Sequence, residues 1–351
     1  MSAPLIPETI EQVFDPAWLT EVLSISHPGV EVTGVIPGPK VERVSTNARF
    51  TIEGTIPEGL NPHLCVKGYY APDAGLSKAA GIPEALFYRD VVGRTKVRTL
   101  NCVYVDVAED GSNAVIITED VAEAGAVFLD SLSPYSVEQT KQSLGQFAEL
   151  HAATWDDPEL LATPWLAPRL TFVMRARGLP EINHNFLGPI GAKVPKEVAD
   201  GELLMSTLAK VPAIADTLGP LSVITGDAHV GNVFIDGAGQ VNLVDWQVCQ
   251  LGQWFLDIGY HLGCTLPVEE RRTNYDALVT SYLEQLAAKG HEVTLSDDEL
   301  RLGLCCGAVY GFYLWAITMK VDPPITTAML ERMGNTVADL DAFGVINAAS
   351  K

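Results

Sequence analysis

The sequence predicts an α+β protein with a β-rich N-terminal lobe and a larger, mainly helical C-terminal lobe. Three observations carry this. From Val30 to about Val121 the apolar residues fall in short β-branched runs. After Thr118-Glu119-Asp120 they recur at helical spacing. Only three short strand-like runs, Leu221 to Thr225, Val233 to Asp236 and Val241 to Val244, interrupt the helical part. The expected division is residues 1–121 and 122–351.

In chain order, Pro7 to Leu23 reads as an amphipathic helix, with Ile10, Val13, Phe14, Trp18, Leu19 and Val22 on one face. Expected strands follow at Val30 to Ile36, Ala48 to Ile56, His63 to Tyr69, Val97 to Val107 and Ala114 to Thr118. A helix at Pro83 to Val92 interrupts them, with proline in its first turn and Glu84 favoured there by the helix dipole. Ser136 to Thr154 is strongly periodic, and Leu203 to Leu218, Asn274 to Lys289, Asp297 to Met319 and Ala328 to Phe343 are further helices. Asp236-Gly237-Ala238-Gly239 supplies a hairpin turn.

Composition narrows the function. The 351 residues are 47% hydrophobic and 19% charged, a globular balance. A formal net charge of −21 repels nucleic acid and anionic membranes, so neither is an expected partner. No apolar run nears the roughly 20 residues that span a bilayer. Met1-Ser2-Ala3-Pro4 shows no basic region followed by an apolar stretch, so a cytoplasmic protein without membrane insertion is expected. The six cysteines form no C-x-x-C pair and read as buried thiols.

Chemistry concentrates at Thr225-Gly226-Asp227-Ala228-His229-Val230-Gly231-Asn232 and Val244-Asp245-Trp246-Gln247. An aspartate, an asparagine five residues later and a second aspartate thirteen beyond that suit phosphoryl transfer from ATP. One carboxylate, Asp227, orients a hydroxyl. Asn232 and Asp245 are hard oxygen ligands of the kind Mg²⁺ prefers beside nucleotide phosphates. Two short hairpin strands would return Asp245 to the neighbourhood of Asn232. Lys67, ending a β-rich run, reads as a point charge for the phosphates.

These segments resemble the H-G-D-x-H-x-x-N and I-D-W-Q motifs of the aminoglycoside phosphotransferase and choline kinase-like superfamily. Gly252 to Tyr260 resembles its G-x-x-x-x-D-[LV]-A-Y helix start. Leu150-His151-Ala152-Ala153-Thr154-Trp155 resembles the L-H-A-x-x-W motif of its ecdysteroid-kinase-like branch. The resemblance implies a bilobal protein-kinase-like fold and transfer of the γ-phosphate of Mg·ATP to a small-molecule alcohol. It implies that Asp227 is the catalytic base and that Asn232 and Asp245 bind magnesium. His229 either touches the transferred phosphate or holds the loop. Asp257 is a structural carboxylate for the catalytic-loop amides or a helix cap. Glu84, in an E-x-x-F-Y helix, partners Lys67, and the backbone of Glu119 and Val121 meets adenine.

Two departures stand out. Thr225 replaces the usual histidine two residues before Asp227. No G-x-G-x-x-G loop is present, and Val41 to Asn47 is expected to supply the phosphate loop, with Ser45, Thr46 and Asn47 as contacts. The aromatic, apolar stretch Gly303 to Thr318 favours a less polar alcohol over an aminoglycoside, with an aminoglycoside or choline-type acceptor as the alternative. Trp246, Trp254 and Trp315 are each expected in the core, with a place lining the substrate site as the alternative. A catalytically silent nucleotide-binding module is the competing reading, which the presence of Lys67, Glu84, Asp227, Asn232 and Asp245 opposes.

Overall fold

A computed structural model describes residues 6–42, 45–70, 75–169 and 177–349. An antiparallel five-stranded sheet dominates the first third, in the order β1 (Glu31–Glu42), β2 (Thr46–Thr55), β3 (His63–Gly68), β5 (Ala114–Glu119), β4 (Cys102–Val107). One face of the sheet packs with the first helices into a small core that includes Leu19, Leu23, Phe50, Leu64 and Ile117. The other face joins a much larger core that continues through the helical part. Ile116, on the sheet, and Phe87, on the helix beside it, both belong to that second core. The α+β, kinase-like architecture expected from the sequence is therefore present.

Several boundaries differ for identifiable reasons. The first helix is two, Ile10–Val13 and Pro16–Leu23, because Pro16 cannot donate to the preceding turn and Asp15 caps the second piece. Pro212 likewise divides the expected Leu203 to Leu218 helix into Gly201–Leu208 and Val211–Ala215. The last helix begins earlier, at Pro323, and ends at Asp339; a further helix, Ala342–Ala349, follows. Residues 97–101 lie outside the sheet. Arg98 leaves it to donate its amide to Gln146 Oε1 (2.7 Å) and its side chain to the Val241 carbonyl (3.0 Å).

The expected phosphate loop at Val41 to Asn47 spans the end of β1 and the start of β2. β1 runs to Glu42 and β2 starts at Thr46, with Glu42 opposite Thr46. Thr46 and Asn47 are strand residues, and residues 43 and 44 of the expected loop lie outside the described residues. Val41 also belongs to β1, whose bulges near Gly34 and Pro37 accommodate its prolines and glycines.

In the second part, β7 (Ser222–Ile224) pairs with β10 (Gln250–Gly252), and β8 (Val233–Ile235) with β9 (Val241–Leu243). The two-residue strand β6 (Val127–Phe128) adds to β8. Asp236 closes the hairpin turn by accepting from the Ala238 and Gln240 amides, while Gly239 takes a φ of 78°. Among the described residues no helix is long and apolar enough to cross a membrane.

Candidate active site

Asp227 follows β7 on a loop fixed from beneath by Asp257. That carboxylate is fully buried and accepts from the Thr225 amide (2.7 Å), the Thr225 hydroxyl (3.0 Å) and the Gly226 amide (3.0 Å). The expectation of a structural carboxylate is the geometry found. Gly226 has a φ of 70°, and a Cβ there would stand 2.5 Å from the Val248 carbonyl oxygen, so glycine is required twice over. Tyr310 donates to the Gly226 carbonyl at 2.6 Å.

Asp227 Oδ1 accepts from the Tyr260 hydroxyl at 3.0 Å, and Oδ2 lies 3.5 Å from His229 Nε2. Burial pushes the Asp227 carboxyl up, but His229, Tyr260 and Asn232 outweigh it and leave it below the usual carboxylate range. It is ionised at neutral pH and suited to orienting a hydroxyl rather than to strong proton abstraction. His229 Nδ1 accepts from the Gly231 amide at 3.0 Å, which leaves the proton on Nε2, facing Asp227. Of the two offered roles the geometry shows the loop contact, and the ring also borders the carboxylate.

Asn232 donates its amide nitrogen to the Asp227 carbonyl (2.9 Å), leaving its oxygen as the free end. Its own carbonyl accepts from the Val244 amide at 2.9 Å, so the hairpin does return Asp245 to Asn232. Asp245 has a φ of 65°, a strained conformation for a non-glycine residue. Two anchors hold it. Its Oδ1 lies 3.3 Å from Lys67 Nζ, and the next residue, Trp246, stacks on Phe87 with ring centroids 3.8 Å apart while donating to the Thr99 hydroxyl (3.0 Å).

Lys67 also meets Glu84 at 2.6 Å. Burial opposes the lysine charge, yet Asp245 and Glu84 together hold it above the ordinary range, so the ammonium persists. Glu84 and Phe87 lie on one helical run, which is how the Lys67 pair and the Asp245 turn come to share a support. Asn47 stands opposite Lys67 in the β2–β3 register and is half-buried. Ser45 and Thr46 are buried, Thr46 only 2% exposed, so their side chains offer a ligand little surface. Glu119 ends β5 with its amide bonded to the Asn101 carbonyl, and the Val121 carbonyl accepts from Ala124 and Ala126.

Tyr260 and Tyr310 carry no role read from sequence, although Tyr260 lies within a recognised motif; hydroxyl partners 33 and 84 residues away leave no local signal. His261 is similar. Its Nδ1 donates to the Ala228 carbonyl (2.8 Å), and its Nε2 meets the Ser143 hydroxyl (2.6 Å). Burial holds it down to about 4. The unfolded chain, with an ordinary histidine, takes the proton first, so this stability is complete above about pH 6.5 and lost as pH falls through 4. The expected loss is about 3 kcal/mol. Denaturant titrations between pH 7 and 4 should show a shallower decline for His261→Asn than for the wild type.

Among the described residues no three His, Cys, Asp or Glu side chains gather to hold a metal unaided. Asn232 and Asp245 present hard oxygens, and Asp245 is partly exposed. This pair fits Mg²⁺ provided that phosphates and water complete the shell.

Residues 202–294 match the ecdysteroid kinase-like family model. The match contains Asp227, Asn232, Asp245 and Asp257. No curated protein matches the sequence. An ethanolamine kinase from Plasmodium vivax, 9% identical, superposes over 93% of this chain and 88% of its own with a TM-score of 0.51. A choline kinase from Cryptosporidium parvum, 11% identical, covers 96% of this chain and 99% of its own, also at 0.51. An aminoglycoside 2′-phosphotransferase in its GDP complex covers 96% and 100% at 12% identity and a TM-score of 0.48. The likeness to the ethanolamine and choline kinases shows that this chain shares their fold.

Proposed function

We propose that this chain is a cytoplasmic small-molecule kinase that moves the γ-phosphate of Mg·ATP to the hydroxyl of a non-aminoglycoside alcohol. The observation that carries the reading is the joint placement of five groups. Asp227 is ionised and held by Tyr260; Asn232 is bonded to the Asp227 backbone; Asp245 adjoins both Asn232 and the Lys67–Glu84 pair. In this reading residues 1–121 carry most of the nucleotide contacts and residues 122–351 the acceptor and catalytic loop.

Lys67, kept charged and positioned by Glu84, neutralises the phosphates. Asn47 lies beside it for a phosphate oxygen, with Ser45 and Thr46 contributing through the backbone of the turn. The Glu119 carbonyl and the Val121 amide read the adenine edge. The side-chain oxygens of Asn232 and Asp245 would hold magnesium, which would supply charge neutralisation at the phosphates. Asp227 accepts a hydrogen bond from the acceptor hydroxyl and takes its proton as the oxygen–phosphorus bond forms and ADP leaves. His229 stands beside that carboxylate, where the transferred group passes.

The acceptor side is aromatic. Tyr260, His229 and Trp315 form a wall next to Asp227, with His229 meeting Tyr260 at 6.3 Å and Trp315 at 5.2 Å between ring centroids. A flat, weakly polar alcohol suits such a wall better than a polycation, which needs carboxylates. A coupled ADP-release assay against sterols, aromatic alcohols, choline, sugars and aminoglycosides tests the reading, with Asp227→Ala as the blank. Release dependent on one acceptor class and on Asp227 supports it. Mg·ATP binding too weak to detect would favour a silent module.

A further inference from the structure

Resting on that reading, one polar atom of the aromatic wall narrows the acceptor. The other polar groups of the wall are occupied within the protein. Tyr260 donates to Asp227, Tyr310 donates to Gly226, and His229 uses Nδ1 for the Gly231 amide and turns Nε2 toward Asp227. Trp315 is different. It lies edge-on to His229, at an interplanar angle of 78°, and is only 6% exposed. Its Nε1 is buried and has no hydrogen-bond partner among the described residues. An indole N–H is a donor only, so it has no internal remedy, and a buried donor without an acceptor is rare in folded proteins.

Packing alone does not account for the tryptophan. A phenylalanine would offer His229 a similar edge without an unsatisfied group. The neighbouring Tyr313 shows what the fold does elsewhere on this helix, Asp297–Ala316: its hydroxyl donates to the Arg177 carbonyl at 2.8 Å. Trp315 has no such arrangement, and one imidazole ring separates it from the carboxylate that orients the acceptor.

We propose that Trp315 Nε1 is a hydrogen-bond donor for the acceptor molecule. The alcohol phosphorylated here then carries a second oxygen, a carbonyl, ether or further hydroxyl, close to its reacting hydroxyl on an otherwise apolar frame. Trp315 is a specificity-determining residue. Reaching the buried nitrogen takes a small rotation of the indole as the molecule enters. A site built to hydrogen-bond such an oxygen discriminates strongly against the analogue that lacks it, because the donor is left unpaired.

Trp315→Phe keeps the ring and removes the N–H. In the protein without acceptor, its melting temperature is expected to equal or exceed that of the wild type. A clear fall would mean that the N–H has a structural partner and would overturn the proposal. The probes are matched rigid alcohols, 1-indanol against 3-hydroxy-1-indanone. The ¹⁵N-indole resonance that vanishes in Trp315→Phe should move downfield with the ketone and stay in place with indanol. No movement with the ketone, or equal movement with both, would overturn it. In ADP release, a preference of about tenfold or more in kcat/KM for the ketone should disappear in Trp315→Phe; a preference that survives the substitution also overturns it. Since the resonance needs no turnover, failure of the phosphotransfer reading, seen as ADP release persisting in Asp227→Ala, is read separately.

Discussion

Asp227→Ala is expected to lower kcat by about three orders of magnitude or more and to leave nucleotide affinity within about twofold of the wild type. In the proposed reaction the carboxylate acts on the acceptor hydroxyl, and it makes none of the contacts assigned to the nucleotide. Asp245→Ala should differ in kind. Removing the proposed oxygen ligand, and releasing Lys67 from its 3.3 Å partner, should weaken Mg·ATP binding by about tenfold as well as slow turnover. Fluorescent-nucleotide titration separates the two. Equal losses of affinity would refute the division of labour between the two aspartates.

The largest effect on stability is expected at Asp257. Alanine there strands the buried Thr225 and Gly226 amides and the Thr225 hydroxyl, and removes the carboxylate 3.4 Å from His151 Nε2. Each stranded buried donor costs about 1–3 kcal/mol, so a loss of about 4 kcal/mol or more is expected. Asp257→Asn keeps one acceptor oxygen and should fall between alanine and the wild type in denaturant midpoint. Because these bonds set the backbone just before Asp227, the surviving folded fraction of Asp257→Ala should also turn over more slowly. A variant of ordinary stability would show that the loop is held by other means.

Much of this arrangement is legible in the linear sequence because it is local. The turn chemistry of Asp236 to Gly239 predicts a hairpin, and the hairpin carries Asp245 back to Asn232. The helical spacing of Ser136 to Thr154 predicts the helix found at Val137–Ala153, whose Ser136–Gln139 capping box closes its start. Proline explains where helices predicted as continuous divide. The strands reach into the expected phosphate-loop segment for a different reason. Ser45, Thr46 and Asn47 have loop-like chemistry, but pairing with β1 and β3 extends the strand through Thr46, and tertiary pairing overrides local preference. The aromatic wall was illegible in another way. The C-terminal aromatics read equally as core, and both descriptions hold: Phe312 is core, while Trp315 is buried yet borders His229.

The Phe87–Trp246 stack bears on how such an enzyme is governed. It joins the helical run that supports Lys67 to the turn that presents Asp245, and Trp246 is further tied to Thr99. Beyond it, Gln250 to Gly252 are paired into a strand, and Arg169 grips the Gln247 carbonyl (3.0 Å) and the Gln250 side chain (2.6 Å). Protein kinases leave the corresponding stretch loose and use phosphorylation to order it. Here these contacts are already made within the folded chain. On the proposed function, flux would then follow the supply of the alcohol and the amount of protein made, rather than a covalent signal.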